Sequence, residues 1–237
     1  MEKYKLTTVM GELQINEKHP NNKIQFLHET IYMNFIKTDQ LFARLRDVVD
    51  HPVHDVDARK NLALTLAISS MQFSDAVRLL CSQGLILGIG TTLRSQYEAL
   101  VRSVWVLYCA TDLQVEKLDA VLNTESQQAS KSIPTVNAML GELDKIPQIK
   151  NLLISFHEFK DSSWLPLNSF VHSGIHAVFW TKHKAPPELI AQLFRISNGL
   201  NVIAFQGMGI LTGRPTIQQE IFSVIAHYSD CLPKARL

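Results

Sequence analysis

Arg94, Glu98 and Arg102 are the only charged residues in TTLRSQYEALVRSVWVLYCA, residues 91–110. A helix places positions i, i+4 and i+8 on one stripe, because four residues nearly complete a turn. Around that stripe the segment reads as core, with Leu93, Tyr97, Leu100, Val101, Val104, Trp105 and Tyr108. Charges on such a helix are costly unless they are paired or bind something. Two uses fit the spacing. Glu98 can bridge both arginines in a buried network that fixes helix register. Alternatively, Glu98 holds an arginine aimed at an anion, a task for which the planar guanidinium fork suits phosphate.

A second polar stripe lies in LNSFVHSGIHAV, residues 167–178. Asn168, His172 and His176 again step by four, with Ser169 and Ser173 beside them. Read as one helix, this segment buries Phe170, Val171 and Ile175 and presents an Asn-His-His face. The two stripes can then meet around one cleft. Three readings of the histidines compete. They can be satisfied core groups. As H-x-x-x-H they can ligate a metal, with Glu98 the only obvious third ligand. Without a metal, either can move a proton near neutral pH while an arginine steadies a phosphate.

Other motifs carry less. His54-Asp55 forms an H-D doublet of the type that metal phosphohydrolases use, but it follows Pro52 in an expected loop, where capping of the next helix is the simpler role. His157-Glu158 lacks the second histidine of H-E-x-x-H, which excludes that zinc-protease motif. GLILGIG, residues 84–90, supplies G-x-G but has Leu93 where a dinucleotide fingerprint needs its third glycine. It reads as a turn or as a close helix approach. There is no G-x-S-x-G elbow and no P-loop.

These residues sit in 237 residues of which 46% are hydrophobic, enough for a sizeable core. The net charge of +1 gives no global basic surface, so any nucleic-acid site must be local. Three cysteines, Cys81, Cys109 and Cys231, form no CxxC pair and fit no disulfide framework. The first twenty residues lack the apolar run of a secretory signal. No apolar stretch is long enough to span a membrane. A cytoplasmic, bacterial-type protein is expected.

Helical periodicity begins at Lys23 and should end before His51-Pro52, since the residue before proline disfavours the helical region. Asp55 or Asp57 can cap a second helix that stops near Gly84. Further helices are expected over 91–110, from Asp112 to about residue 128, over 134–143, over 147–159, over 164–180, over 187–211 and over 216–231. Residues 160–163 read as a linker or turn, and 124–132 as a solvated helix end or loop. KYKLTTVM and ELQIN near the start are short strands or an extended arm. The spacing therefore predicts an all-α, single-domain bundle of about seven to nine helices, residues 22–237, preceded by an arm, residues 1–21. The apolar surface of the last two helices suggests a homodimer.

The pattern Arg94, Ser95, Glu98, Ala99, Arg102, followed by Asn168, Ser169, His172 and Ser173 on a later helix, resembles HEPN-like proteins over about the central half of the chain. The resemblance implies a HEPN-like helical core and metal-independent ribonuclease activity of the toxin or defence type. The usual family motif, an arginine and a histidine separated by four to six residues, has its spacing matched by Arg46 and His51 at the end of the first helix. On this reading Arg94, Glu98, Arg102, His172 and His176 form the catalytic set, and Asn168 and Ser173 bind substrate. RNA or a nucleotide-like anion is the partner, with no metal and no cofactor. The alternative expectation is a non-catalytic helical module that uses the same arginines to bind a small anion or a partner protein.

Overall fold

The computed structural model describes residues 20–234 and is all-helical over them. The expected N-terminal arm, with its two possible strands, lies outside the described residues apart from its last two positions, which open the first helix. The elements are α1 (Pro20–Val49), α2 (Ala58–Ser82), α3 (Ile86–Tyr108), α4 (Asp112–Leu118), α5 (Thr124–Ser130), α6 (Val136–Leu143), α7 (Lys150–Val171), α8 (Ile175–Lys182), α9 (Pro187–Leu211) and α10 (Ile217–Ala226). Single 3-10 turns occupy Pro147–Ile149 and Ser229–Cys231.

α3 is the axis of the bundle. α2 and α9 pack on one side of it, and α6 and α7 on another. Leu93, Tyr97, Leu100, Val101 and Trp105 are buried along its length. Tyr97 stacks on Phe159 with ring centroids 4.3 Å apart and donates its hydroxyl to the Phe156 carbonyl at 2.9 Å. Trp105 donates its indole N–H to Glu142 at 2.6 Å. A second, smaller core joins α1, α9 and α10 through Leu41, Phe42, Leu45, Val202, Phe205, Ile217 and Ile221. Much of the apolar surface of α9 is thus used within the chain, while Ile210 on α9 and Phe222 on α10 stay exposed.

A buried polar network locks α2, α3 and α9 together. Gln96 donates to the Ser197 carbonyl at 2.9 Å and accepts from the Ser197 hydroxyl at 2.7 Å, while Ser70 donates to the Gln96 carbonyl at 3.0 Å. Each bond adds little net stability, but leaving a member unpaired costs about 1–3 kcal/mol, so the network fixes helix register.

Local chemistry explains the boundaries. α1 stops short of His51-Pro52, and Asp57 caps α2 by accepting from the Lys60 N–H at 2.7 Å. Gly84, at φ +66°, ends α2 in the left-handed region, so Leu85 can donate to the Leu80 carbonyl at 3.0 Å. The remaining glycines of GLILGIG continue into α3. A Cβ on Gly90 would lie 2.4 Å from the Phe170 ring, so glycine is what lets α3 and α7 approach. The polar helix expected from Asp112 divides into α4 and α5 because Asn123 starts a new capping box with Ser126.

Two expectations for the region after residue 150 are corrected. Residues 160–163 are not a linker. They belong to α7, where the Ser162 hydroxyl folds back onto the Glu158 carbonyl at 2.5 Å and Ser163 is buried. Nor is 164–180 one helix. Ser173, at φ +52°, ends α7 with the hydrogen bonds of a Schellman motif, Gly174 donating to the Ser169 carbonyl at 2.7 Å and Ser173 to the Phe170 carbonyl at 3.4 Å. The Ser169 hydroxyl then accepts from the His176 N–H at 3.0 Å and starts α8. A Cβ on Gly174 would meet that hydroxyl at 2.6 Å, so the motif needs glycine there.

Candidate functional site

Apolar faces hold α3 in the core and leave its charged stripe facing α6 and α7. Arg94 is fixed on three sides. Its Nε donates to Glu98 at 2.8 Å and its Nη1 to the Asn168 side-chain oxygen at 2.5 Å, while its guanidinium lies 4.7 Å from the centroid of the Trp164 ring. This side chain is only 19% exposed. Of the second expected stripe only Asn168 reaches the first, through Arg94, and that contact depends on the close approach of α3 and α7 at Gly90.

Glu98 pairs with Arg94 and not with Arg102. The bridge expected on both sides of Glu98 is made on one side only. Arg102 has a buried Nε with no hydrogen-bond partner among the described residues. A donor in that position gives up water and gains nothing inside the protein. It borders a cleft of about 390 Å³ lined by Arg94, Glu98, Arg102, Thr135, Val136, Asn137 and Trp164. α6 begins at this wall. Thr135 is its N-cap, accepting from the Ala138 N–H at 3.4 Å, and Val136 and Asn137 open the first turn. The first N–H groups of a helix have no partner within it and carry the positive end of its dipole. Two arginines and a helix start here favour an anion, and the charge of Glu98 is offset in part by its pair with Arg94.

Trp164 and the start of α6 are the parts of the cleft that sequence reasoning missed. For α6 a signal existed, a threonine directly before an apolar helical run, but Pro134 drew the expected start two residues too early.

The histidines are placed elsewhere. His172 is exposed at the C-cap of α7, Ser173 is exposed in the turn, and His176 belongs to α8. None of the three lines the cleft. The Asn168-His172-His176 stripe does not exist as one helical face, because the left-handed Ser173 interrupts it. Among the described residues, no cluster of three or more His, Cys, Asp or Glu side chains could hold a metal ion. His54 pairs with Asp55 at 3.0 Å in a loop docked against Gly213, and His51 contacts Arg214. Among the described residues, no helix is long and apolar enough to cross a membrane.

Burial holds the His176 imidazole below its ordinary protonation range, and its Nδ1 is buried without a partner among the described residues. The folded protein thus takes up this proton less readily than the unfolded chain does. The resulting stability is complete above about pH 6.5 and is lost as the pH falls through the lowered folded value. Urea midpoints should drop on acidification from neutral pH, and His176→Phe should flatten that drop. An unchanged profile in His176→Phe would assign the effect to other groups.

A second cavity of about 300 Å³ lies between α1 and α10, lined by Arg44, Ser223, Val224, His227 and Tyr228. Its arginine is exposed. Water can satisfy Arg44, whereas the buried Nε of Arg102 has no such relief, and this difference marks the α3 cleft as the candidate site. No curated protein and no solved structure matches the chain. Residues 67–234, which include the whole α3 cleft, match the model of a family of unknown function, DUF6988, and the chain belongs to that family.

Proposed function

We propose that this protein is a helical module that binds a small anionic ligand in the α3 cleft, with Arg102 as the principal contact and Arg94 as a fixed second cation. The observation that carries the reading is the buried, unpartnered Nε of Arg102 beside an arginine whose orientation is already set. A buried Nε–H without a partner costs stability unless something else completes it. A phosphate, sulfate or carboxylate would complete it through paired N–H···O bonds. Because Arg94 is held by Glu98, Asn168 and Trp164 before any ligand arrives, little side-chain entropy is lost on binding. Titration of inorganic phosphate into the full chain tests the reading. Saturable thermal stabilisation is expected, and no saturable response in the wild type would overturn it.

A metal-independent ribonuclease with the HEPN-like resemblance is a second reading. One observation favours it: exposed His172 ends α7 one turn beyond Asn168, which is bonded to Arg94. His172 would take the proton of a ribose 2′-hydroxyl, whose oxygen attacks phosphorus and expels the 5′-oxygen; the 5′-oxygen leaves as a hydroxyl by taking a proton from water, and a 2′,3′-cyclic phosphate remains. The arginines would stabilise the developing charge. With the purified chain and single-stranded RNA, His172→Ala should then lower cleavage by at least about 100-fold. Cleavage that persists unchanged in that variant would remove the reading.

A further inference from the structure

We infer that the ligand is a phosphomonoester carrying a hydroxyl beside its phosphate, such as a sugar phosphate or nucleoside monophosphate, and that Glu98 reads the hydroxyl. The inference rests on the anion-binding reading of the same cleft.

The donors of the cleft outnumber what a carboxylate can accept. Arg102 brings about five N–H groups, and part of the Arg94 fork remains beyond its bonds to Glu98 and Asn168. Val136 and Asn137 add the open first turn of α6. A carboxylate offers about four lone-pair sites on two oxygens, which one guanidinium fills. Three phosphoryl oxygens can be shared between Arg102 and the helix start.

Glu98 supplies the other half of the argument. A carboxylate on the wall of an anion site repels the ligand, and a site built only for phosphate would omit it. Here Arg94 engages one oxygen, Oε1, and the side chain remains 29% exposed. Its second oxygen has no hydrogen-bond partner among the described residues. That oxygen is an acceptor beside a cluster of donors, so it suits a ligand O–H close to the phosphate. The cleft also exceeds the needs of a bare tetrahedral anion. At about 390 Å³ it falls within the range of small-molecule sites.

The test compares methyl phosphate with ribose 5-phosphate by calorimetric titration of the full chain, in the wild type and in Glu98→Gln. Glutamine keeps an oxygen for the Arg94 Nε but replaces the free acceptor by an amide donor and removes the negative charge. In the wild type, ribose 5-phosphate should bind about tenfold or more tightly than methyl phosphate. In Glu98→Gln that advantage should fall, with ribose 5-phosphate weakened and methyl phosphate unchanged or tightened. Equal affinities in the wild type would overturn the inference without need of any variant, as would an advantage that survives in Glu98→Gln. The two failures are separable. If inorganic phosphate and methyl phosphate bind but the hydroxylated ligand gains nothing, the inference on Glu98 falls and the anion site stands. If none of the three probes binds, the anion site falls with it.

Discussion

Gly90→Val is expected to destabilise the protein by about 3 kcal/mol and to weaken ligand binding in the same step. Even the first added carbon would lie 2.4 Å from Cδ2 and 2.7 Å from Cγ of Phe170, a ring that is only 4% exposed. The ring cannot swing into solvent, so α7 must move away from α3. Overpacking of this kind costs about 1–3 kcal/mol, and a branched side chain at a buried crossing belongs at the upper end. For a chain of this size the thermal midpoint should fall by roughly 6–12 °C. α7 also carries Asn168 and Trp164, so its displacement loosens both supports of Arg94. Alanine gives a sharper contrast. Gly207→Ala, in α9 with nothing within 4 Å of the added carbon, should gain up to about 1 kcal/mol from helix propensity. Gly90→Ala should lose stability despite the same gain. A stabilised Gly90→Ala would contradict the close approach of α3 and α7.

Arg102→Met is expected to weaken binding without loss of stability. Methionine keeps the apolar stem and removes a guanidinium whose Nε is buried and unpaired. Without ligand, the variant should be as stable as wild type or more stable by up to about 1 kcal/mol, since a partly buried arginine with an unpaired Nε gains little from the fold. Phosphate affinity should fall by about 30-fold or more, a loss of about 2 kcal/mol typical of a charge-assisted hydrogen bond. Arg94→Met should differ. It strands Glu98 and Asn168 and uncovers Trp164, so it should destabilise the fold as well as weaken binding. Chemical denaturation of both variants, with and without phosphate, separates an arginine kept for a ligand from one kept for the fold. Loss of stability in Arg102→Met without ligand would place Arg102 with the structural residues.

The helical class and many boundaries were legible because prolines, glycines and capping aspartates punctuate the periodicity. Pro52, Asp57, Gly84 and Pro187 each mark a helix end for a local reason. The stripe on α3 was legible for the same kind of reason, since three charges in an apolar run can share only one face. What sequence spacing could not supply was the left-handed residue at 173. Serine is not the residue that usually takes that conformation, and the hydrogen bonds that stabilise the turn come from Ser169 and Gly174, whose joint effect appears only in three dimensions. That one turn takes His176 off the α7 face that carries Asn168 and His172, and neither histidine lines the arginine cleft. The uneven pairing of Glu98, which decides between a closed network and a binding site, was equally hidden. It depends on Asn168 and Trp164 reaching Arg94 from α7, a long-range contact with no local signature.

The most direct measurement follows the side-chain Nε–H resonance of Arg102 by nitrogen–proton NMR while inorganic phosphate is added, with Arg102→Met as the assignment control. A saturable shift of the Arg102 signal is expected, accompanied by a smaller shift at Arg94. An Arg102 signal that stays in place while phosphate reaches millimolar concentration would contradict the claim that this arginine is held open for an anion.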